Sequence, residues 1–460
     1  MNVFDFKKMM FLLCNSIVYI LMIPMLSTCE EFVAVDHLET RILADQVFEN
    51  DAMANSAIAG LYKSFRLSIP DFISFRNPVY SDEVIPYLNS ASNTYFTNSL
   101  QPNDSTLPWG QFYLVIYGAN NAIEKLQASS TIGKDIKNQY IAEAKFMRAM
   151  CHFYLVNFFG DIPLVVTADV NTNKLISRTP ITLVYEQIIA DLQDAKANLR
   201  DDYSHAANEH VRANKWVASA MLARAYLFAK DYPKAEAEAD AVIGSGKYTL
   251  LTSPAGIWNK NNTEAILQLA NNAMENNSVA NSFIYTSNPT NVLTTNLLDA
   301  FEPGDLRKTI WIRTQTHSGQ SVSIPYKMTS TAANPPEYYT LIRLAEMYLI
   351  RAEALAMRED FGGCADDVNL LRLQHGGLST PLADPTDKEE ALTMILHERQ
   401  VELFTEGCHR FFDLKRTGRI DAVMLTTKPE YWKSTASLYP IPLTERQRNP
   451  NLNPQNPGYE

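Results

Sequence analysis

The chain has 460 residues, 46% hydrophobic and 20% charged, with a formal net charge of −11. That length exceeds the usual single-core size, leaving one large domain with insertions or two intimate lobes. The acidic balance excludes a nucleic-acid partner, which needs a basic stripe to meet phosphates. Its 23 Pro and 22 Tyr point to long ordered loops with polar-tipped aromatic surfaces.

At the N-terminus, Lys7 and Lys8 precede an apolar run from Met9 to Met25, and Leu26, Ser27 and Thr28 lead to Cys29. A positive start, an apolar stretch and small residues before a cut describe an export signal over residues 1–28. Cys29 stands as a lipobox cysteine would, acylated as the new N-terminus, although Thr28 occupies a position where Gly, Ala or Ser is usual. Two or three acyl chains hold stably where one would be reversible. An uncleaved transmembrane anchor is the alternative, because the run is almost long enough to span; Pro24 and the abrupt Cys29 favour cleavage. Cys151, Cys364 and Cys408 form no CxxC pair, so neither a disulfide framework nor a zinc site is predicted.

Beyond the signal, an irregular, aromatic-rich and polar region runs from about residue 68 to 109. Helical patterns follow over Phe112–Leu126, Ala142–Leu155 and Leu183–Leu199, then over Trp216–Leu227 and, after another irregular region at about 252–339, over Ile342–Leu355. Three of these carry an Arg-Ala pair among Ala, Leu and Tyr: Arg148-Ala149, Arg224-Ala225 and Arg351-Ala352. Two are followed by a break and a second helical face, marked by Ala235, Ala239 and Val242 after Pro233, and by Ala365, Val368 and Leu371 after Gly363. Small residues at helical spacing let two helices approach while Leu, Tyr and Phe fill the groove between them. Leu222, Ala223, Tyr226 and Ala235 match a tetratricopeptide-like hairpin at the right offsets. The fold class is therefore mainly α, with such hairpins forming a right-handed superhelical scaffold; unrelated amphipathic helices are the alternative. The two irregular regions are too long for idle loops, and their aromatic content argues for order.

Catalytic motifs do not assemble. His397-Glu398 begins like a zinc-protease motif, but Val401 stands where the second His belongs. Gly244, Gly246 and Lys247 carry part of a phosphate-loop pattern, yet Ala241 replaces its first Gly and Tyr248 its Ser/Thr; a turn after a helix, followed by a strand, is expected. Asp82 and Glu83 are adjacent, and a glycosidase needs opposed carboxylates about 5–9.5 Å apart. No enzyme activity, cofactor or metal site is predicted.

One stretch is more specific: Arg148-Ala149 lead through a helix into Phe159-Gly160-Asp161-Ile162-Pro163-Leu164. With Val184–Leu192, Arg212–Arg224, Arg343–Glu346, Arg351–Ala354, His397–Gly407, Arg410–Arg416 and the tail Tyr439–Pro442 through Asn449–Gly458, it resembles the SusD/RagB family. In physical terms, Gly160 lets the chain leave its helix, Asp161 can tie down the turn and Pro163 stiffens it. Arg399, Glu402 and Glu406 stand three and four apart, so they are expected to share a helix face and pair, with Arg410 and Asp413 joining. These residues are expected to maintain the fold, not to bind ligand.

The resemblance implies a single domain over residues 29–460. It implies an outer-membrane lipoprotein exposed at the surface of a Bacteroidetes-like cell, touching the membrane only through its lipid. Such a protein captures a nutrient, chiefly an oligosaccharide, without catalysis and hands it to a SusC-like TonB-dependent transporter. A peptide- or glycoprotein-binding member, or a scaffold that binds only proteins, is the alternative. Because sugars present apolar C–H faces edged by hydroxyls, aromatic platforms and polar partners in the irregular regions are the candidates: Tyr80, Asp82, Tyr87, Asn93, Tyr95, Phe96, Asn98, Tyr285 and Trp311. Trp109 is read as a packing position.

Overall fold

Helices dominate, and their starts are written in local capping chemistry. Asn50 opens α1 (Asp51–Ser68) by accepting from the Met53 amide, Asn214 opens α5 (Lys215–Phe228) by accepting from Trp216 and Val217, and Asp231 opens α6 (Tyr232–Ile243). Each side-chain oxygen satisfies a first-turn amide that has no partner inside its helix. The computed structural model describes residues 46–88, 90–271, 278–284, 289–330 and 336–460, so the export signal, Cys29 and Tyr285 lie outside the described residues. Among them no helix is long and apolar enough to cross a membrane.

Between α1 and α5 lie β1 (Val84–Pro86), α2 (Trp109–Ala128), α3 (Lys134–Phe159), the short strands β2 (Ile162–Pro163) and β3 (Arg178–Thr179), and α4 (Ile181–Asn198). After α6 come β4 (Ala265–Leu269), β5 (Asn291–Leu293), β6 (Ile312–His317), β7 (Gln320–Pro325) and β8 (Tyr339–Arg343). The chain then continues through α7 (Leu344–Met357), α8 (Phe361–Gln374), α9 (Lys388–Leu403), α10 (His409–Arg416) and α11 (Ile420–Thr427). Helices α2 to α8 pack in chain order, each mainly against its neighbours, the quasi-one-dimensional logic of a helical-repeat stack. Helix α7 packs on α6 although the whole 252–339 region intervenes, so that region leaves the stack and returns to it at one joint.

The Arg-Ala pairs explain how the stack is clamped. Arg148 on α3 donates to both oxygens of Asp191 on α4, at 2.8 and 2.6 Å. Arg224 on α5 does the same to Glu346 on α7, at 2.7 and 2.6 Å. Arg351 on α7 grips Asp367 on α8 at 2.8 and 2.6 Å and also reaches Asp240 on α6. The neighbouring alanines let the helices close in, and the planar guanidinium then fits a carboxylate bidentately.

Gly160 has a φ of 74° and ends α3 as expected. Asp161 Oδ1 accepts from the Ile181 amide at 3.0 Å and so caps the start of α4. Asp161→Ala should lower stability by about 1 kcal/mol, read from the urea midpoint of unfolding.

Several expectations change. No strand follows Gly244–Lys247; a turn does, and the chain makes one ladder-like bond there, Thr249 N to Thr263 O. The 252–339 region is not wholly irregular: β4 pairs with β8 and β6 with β7, while β5 pairs with β1 of the earlier region. The 68–109 region holds a π-helical turn at Phe72–Arg76 and the short helix Asn77–Tyr80. Arg399 does not pair with Glu402 or Glu406. It takes Asp413 at 2.6 Å: Glu402, on the same helix, is held by Arg307, Arg343 and His375, and beyond the end of α9 at Leu403 the left-handed Thr405, with φ 57°, turns Glu406 off the helix face.

Glu402 and Glu406 instead meet Arg343, the last residue of β8, which donates to Glu402 at 2.5 Å, Glu406 at 2.9 Å and Glu264 at 3.0 Å. Arg307 joins Glu402 at 2.9 Å and also pairs with Glu398 and Asp305. Lys327 donates to Glu406 and to the carbonyls of Glu402 and Phe404. Arg307 and Lys327 come from the inserted region, with Glu264; Arg343 ends the strand that returns from it to the stack, and the carboxylates Glu398 and Glu402 come from α9. All are buried. This charged knot rivets the insertion to the helix stack.

Candidate functional site

Buried carboxylates and histidines are the first place to look for chemistry. Among the described residues one cluster has donor atoms close enough to share a cation: Glu264, His375 and Glu402, within 4.8 Å of one another. Its donors are already taken. Burial pulls the His375 imidazole down, but Glu402 and Glu264, at 2.8 and 3.0 Å, override it and hold the ring up at about 10. The protonated ring and the Arg343 guanidinium therefore balance these carboxylates, and a metal would have to displace both.

The sequence-derived ligand candidates divide by burial. Tyr80 is fully buried, donates to the Ala436 carbonyl at 2.8 Å and packs 4.7 Å from the Tyr439 ring. Asp82 is buried with both oxygens on Arg410, at 2.8 and 2.7 Å, and a further bond from Asn296. Tyr95 is buried and donates to Thr106 O. Trp311 is buried, donates its indole N–H to Pro254 O and lies 4.4 Å beneath the Lys327 ammonium. These four are interior residues with partners inside the chain, and none offers a face to a surface ligand. Tyrosine and tryptophan supply area and a polar tip equally well to a core.

Of the remaining four described candidates, Tyr87, Asn93 and Phe96 are half-buried and Asn98 is buried. Asn93 is half-buried and organises its loop, Oδ1 accepting from the Tyr95 and Phe96 amides at 3.0 and 3.1 Å. That turn presents Phe96, half-buried, 5.4 Å from the half-buried Tyr431 ring. Beneath Phe96, 4.9 Å from its centroid, sits the Lys428 ammonium, which donates to the carbonyls of Val79 and Tyr80. Burial pushes this lysine down to about 7. Asn98, in the left-handed region at φ 48°, donates Nδ2 to Tyr80 O at 2.8 Å.

Beside this aromatic pair runs a groove of about 260 Å³ lined by Thr97, Asn98, Ser99, Gln101, Glu430 and Lys433, among others. Asn98 lines it, and its buried Oδ1 has no hydrogen-bond donor among the described residues. Tyr87 lies elsewhere, edge-on to His317 at 5.3 Å on the β6–β7 hairpin, and has no such groove beside it. Sequence reasoning missed the 430–435 segment; the Tyr431-Trp432 pair after Pro429 was its only signal.

Comparison with known proteins bears on the whole chain. Residues 41–227 match the family described as "Starch-binding associating with outer membrane", and residues 248–459 match the SusD family. The chain is 23% identical, over 95% of its length and 97% of the relative's, to SusD-like protein P25 of Formosa agariphila. It is 25% identical to the starch-binding protein SusD of Bacteroides thetaiotaomicron, over 69% of this chain and 72% of that one. A solved laminarin-binding SusD-like protein superposes with a TM-score of 0.72 at 26% identity, covering 89% of this chain and 100% of the other. Arg-Ala clamps, helix stack and both matched segments agree: the chain belongs to the SusD family.

Proposed function

We propose that this protein captures a carbohydrate, an oligosaccharide or glycan fragment, without transforming it, and passes it to a SusC-like TonB-dependent transporter. The observation that carries the reading is the Phe96–Tyr431 pair beside a groove lined by polar and charged side chains. Aromatic faces take the C–H side of a sugar, and hydroxyl, amide, carboxylate and ammonium groups take its edges, the usual division of labour in a ligand site. The names of the starch- and laminarin-binding relatives support the same class of ligand. Phe96→Ala and Tyr431→Ala should each weaken glycan binding about tenfold, as loss of a stacking anchor does, with unchanged melting temperature. Titration calorimetry showing wild-type affinity in both variants would move the ligand away from this groove.

The anchor is part of the proposal. Acylated at Cys29, the protein would be held at the outer membrane by lipid alone. Cys29→Ala should release it from the membrane fraction into the soluble one; persistent membrane association would point to an uncleaved hydrophobic anchor.

A further inference from the structure

A second pocket lies inside the helix stack, away from the aromatic groove. It occupies about 470 Å³, within the roughly 300–1,000 Å³ of small-molecule sites. Its apolar wall is Leu227 and Phe228 at the end of α5, Met357 at the end of α7 and Leu392 on α9. Its polar wall is Lys230, Glu353, Lys415 and Arg416.

The charges in this wall do not cancel. Arg416 binds Glu353, at 2.6 Å through one guanidinium nitrogen, and Asp413 at 2.8 Å. Arg399 takes the other oxygen of Asp413 at 2.6 Å. Two guanidiniums therefore answer two carboxylates, and neither Lys230 nor Lys415 has a carboxylate within 4.0 Å among the described residues. Lys415 donates to one acceptor, the Asn157 carbonyl in the last turn of α3, at 2.5 Å. An ammonium has three donors, so two have no acceptor among the described residues. Two lysines without a carboxylate partner, Lys230 exposed and Lys415 half-buried, thus line one half-enclosed pocket.

We propose that this pocket binds a small organic carboxylate, its anionic end against Lys415 and Lys230 and its apolar body against Leu227, Phe228 and Met357. The site is separate from glycan capture and does not depend on it. Burial alone pushes the Lys415 amine down to about 7, so near neutral pH the group is divided between amine and ammonium. A bound carboxylate favours the ammonium, so binding takes up a proton and tightens as pH falls. The titratable and charged groups that line the pocket with Lys415 are Lys230 from the α5–α6 turn, Tyr232 from α6, Glu353 from α7 and Arg416 on its own helix, and its one acceptor is the Asn157 carbonyl from α3.

Benzoate is the probe, titrated into the full chain by calorimetry, with sulfate at matched ionic strength as competitor. Saturable binding is expected, tighter at about pH 6 than at about pH 8, weakened about tenfold in Lys415→Gln and several-fold in Lys230→Gln, and resistant to sulfate. Because Lys415 also caps α3, its variant can fail to fold; Lys230 is exposed and its variant keeps the test decisive. Absence of saturable benzoate binding, wild-type affinity in Lys230→Gln, equal affinity at both pH values, or displacement by sulfate would each overturn the proposal.

Discussion

Replacing Arg343 by Met should destabilise the protein by about 3–5 kcal/mol, more than any other single substitution considered. Arg343 is one cation serving three carboxylates, Glu264, Glu402 and Glu406. Burial disfavours ionised Glu402, yet His375 and Arg343 hold its carboxyl well below the usual range. With the guanidinium gone, that carboxyl and Glu406 lose a main counter-charge in a water-free interior, and breaking such a pair costs far more than the pair contributes over an apolar substitute. The loss should be largest at neutral and alkaline pH and shrink as pH falls, because orphaned carboxylates escape the cost by taking up protons. Since Arg343 rivets the insertion to the stack, the 252–339 region should also become sensitive to limited proteolysis. Wild-type urea midpoints at neutral pH would contradict this account.

Replacing Glu83 by Gln should do the opposite. Glu83 is buried; desolvation, with the neighbouring Asp82 charge, raises its carboxyl from 4.5 to about 8 against the amide of Thr405. The folded protein therefore keeps this group protonated at neutral pH while the unfolded chain ionises it. Its contribution to stability is fully present below about pH 4.5 and is lost as pH rises through about 8. At pH 7 that loss is on the order of 3 kcal/mol. Glutamine keeps the shape and the acceptor for Thr405 and does not ionise. Glu83→Gln should accordingly raise the unfolding midpoint at pH 7, change little near pH 4, and flatten the stability profile between. An unchanged profile would mean that Glu83 ionises in the folded protein.

Much of the fold was legible because helices advertise themselves locally. Asn214, Asp231 and Pro233 mark their helix starts, Gly160 marks an end, and the repeated Arg-Ala pairs mark the crossings that carboxylates clamp. Pairing across the chain was not legible. Arg343 meets Glu264 and Glu402 from distant stretches, whereas the helical spacing of Arg399, Glu402 and Glu406 suggested a local network; the end of α9 takes Glu406 out of it, and Arg307 and Arg343 claim Glu402. The candidate site was half legible for a related reason. Tyr80, Asp82, Tyr95 and Trp311 have the residue types of a sugar site, but composition cannot separate a platform from a core ring with a satisfied hydroxyl or indole. Phe96, Asn93 and Asn98 lie together at the candidate groove because they share one loop. Tyr431 and Lys433 were missed because they arrive from the far end of the chain.

The central claim is that the groove beside Phe96 and Tyr431 takes a glycan. A binding array presenting glycans and peptides side by side to the chain from Glu30 onward tests it most directly. A response confined to a subset of glycans, lost in Phe96→Ala, is the result expected; silence across all glycans with a response to peptides would contradict it.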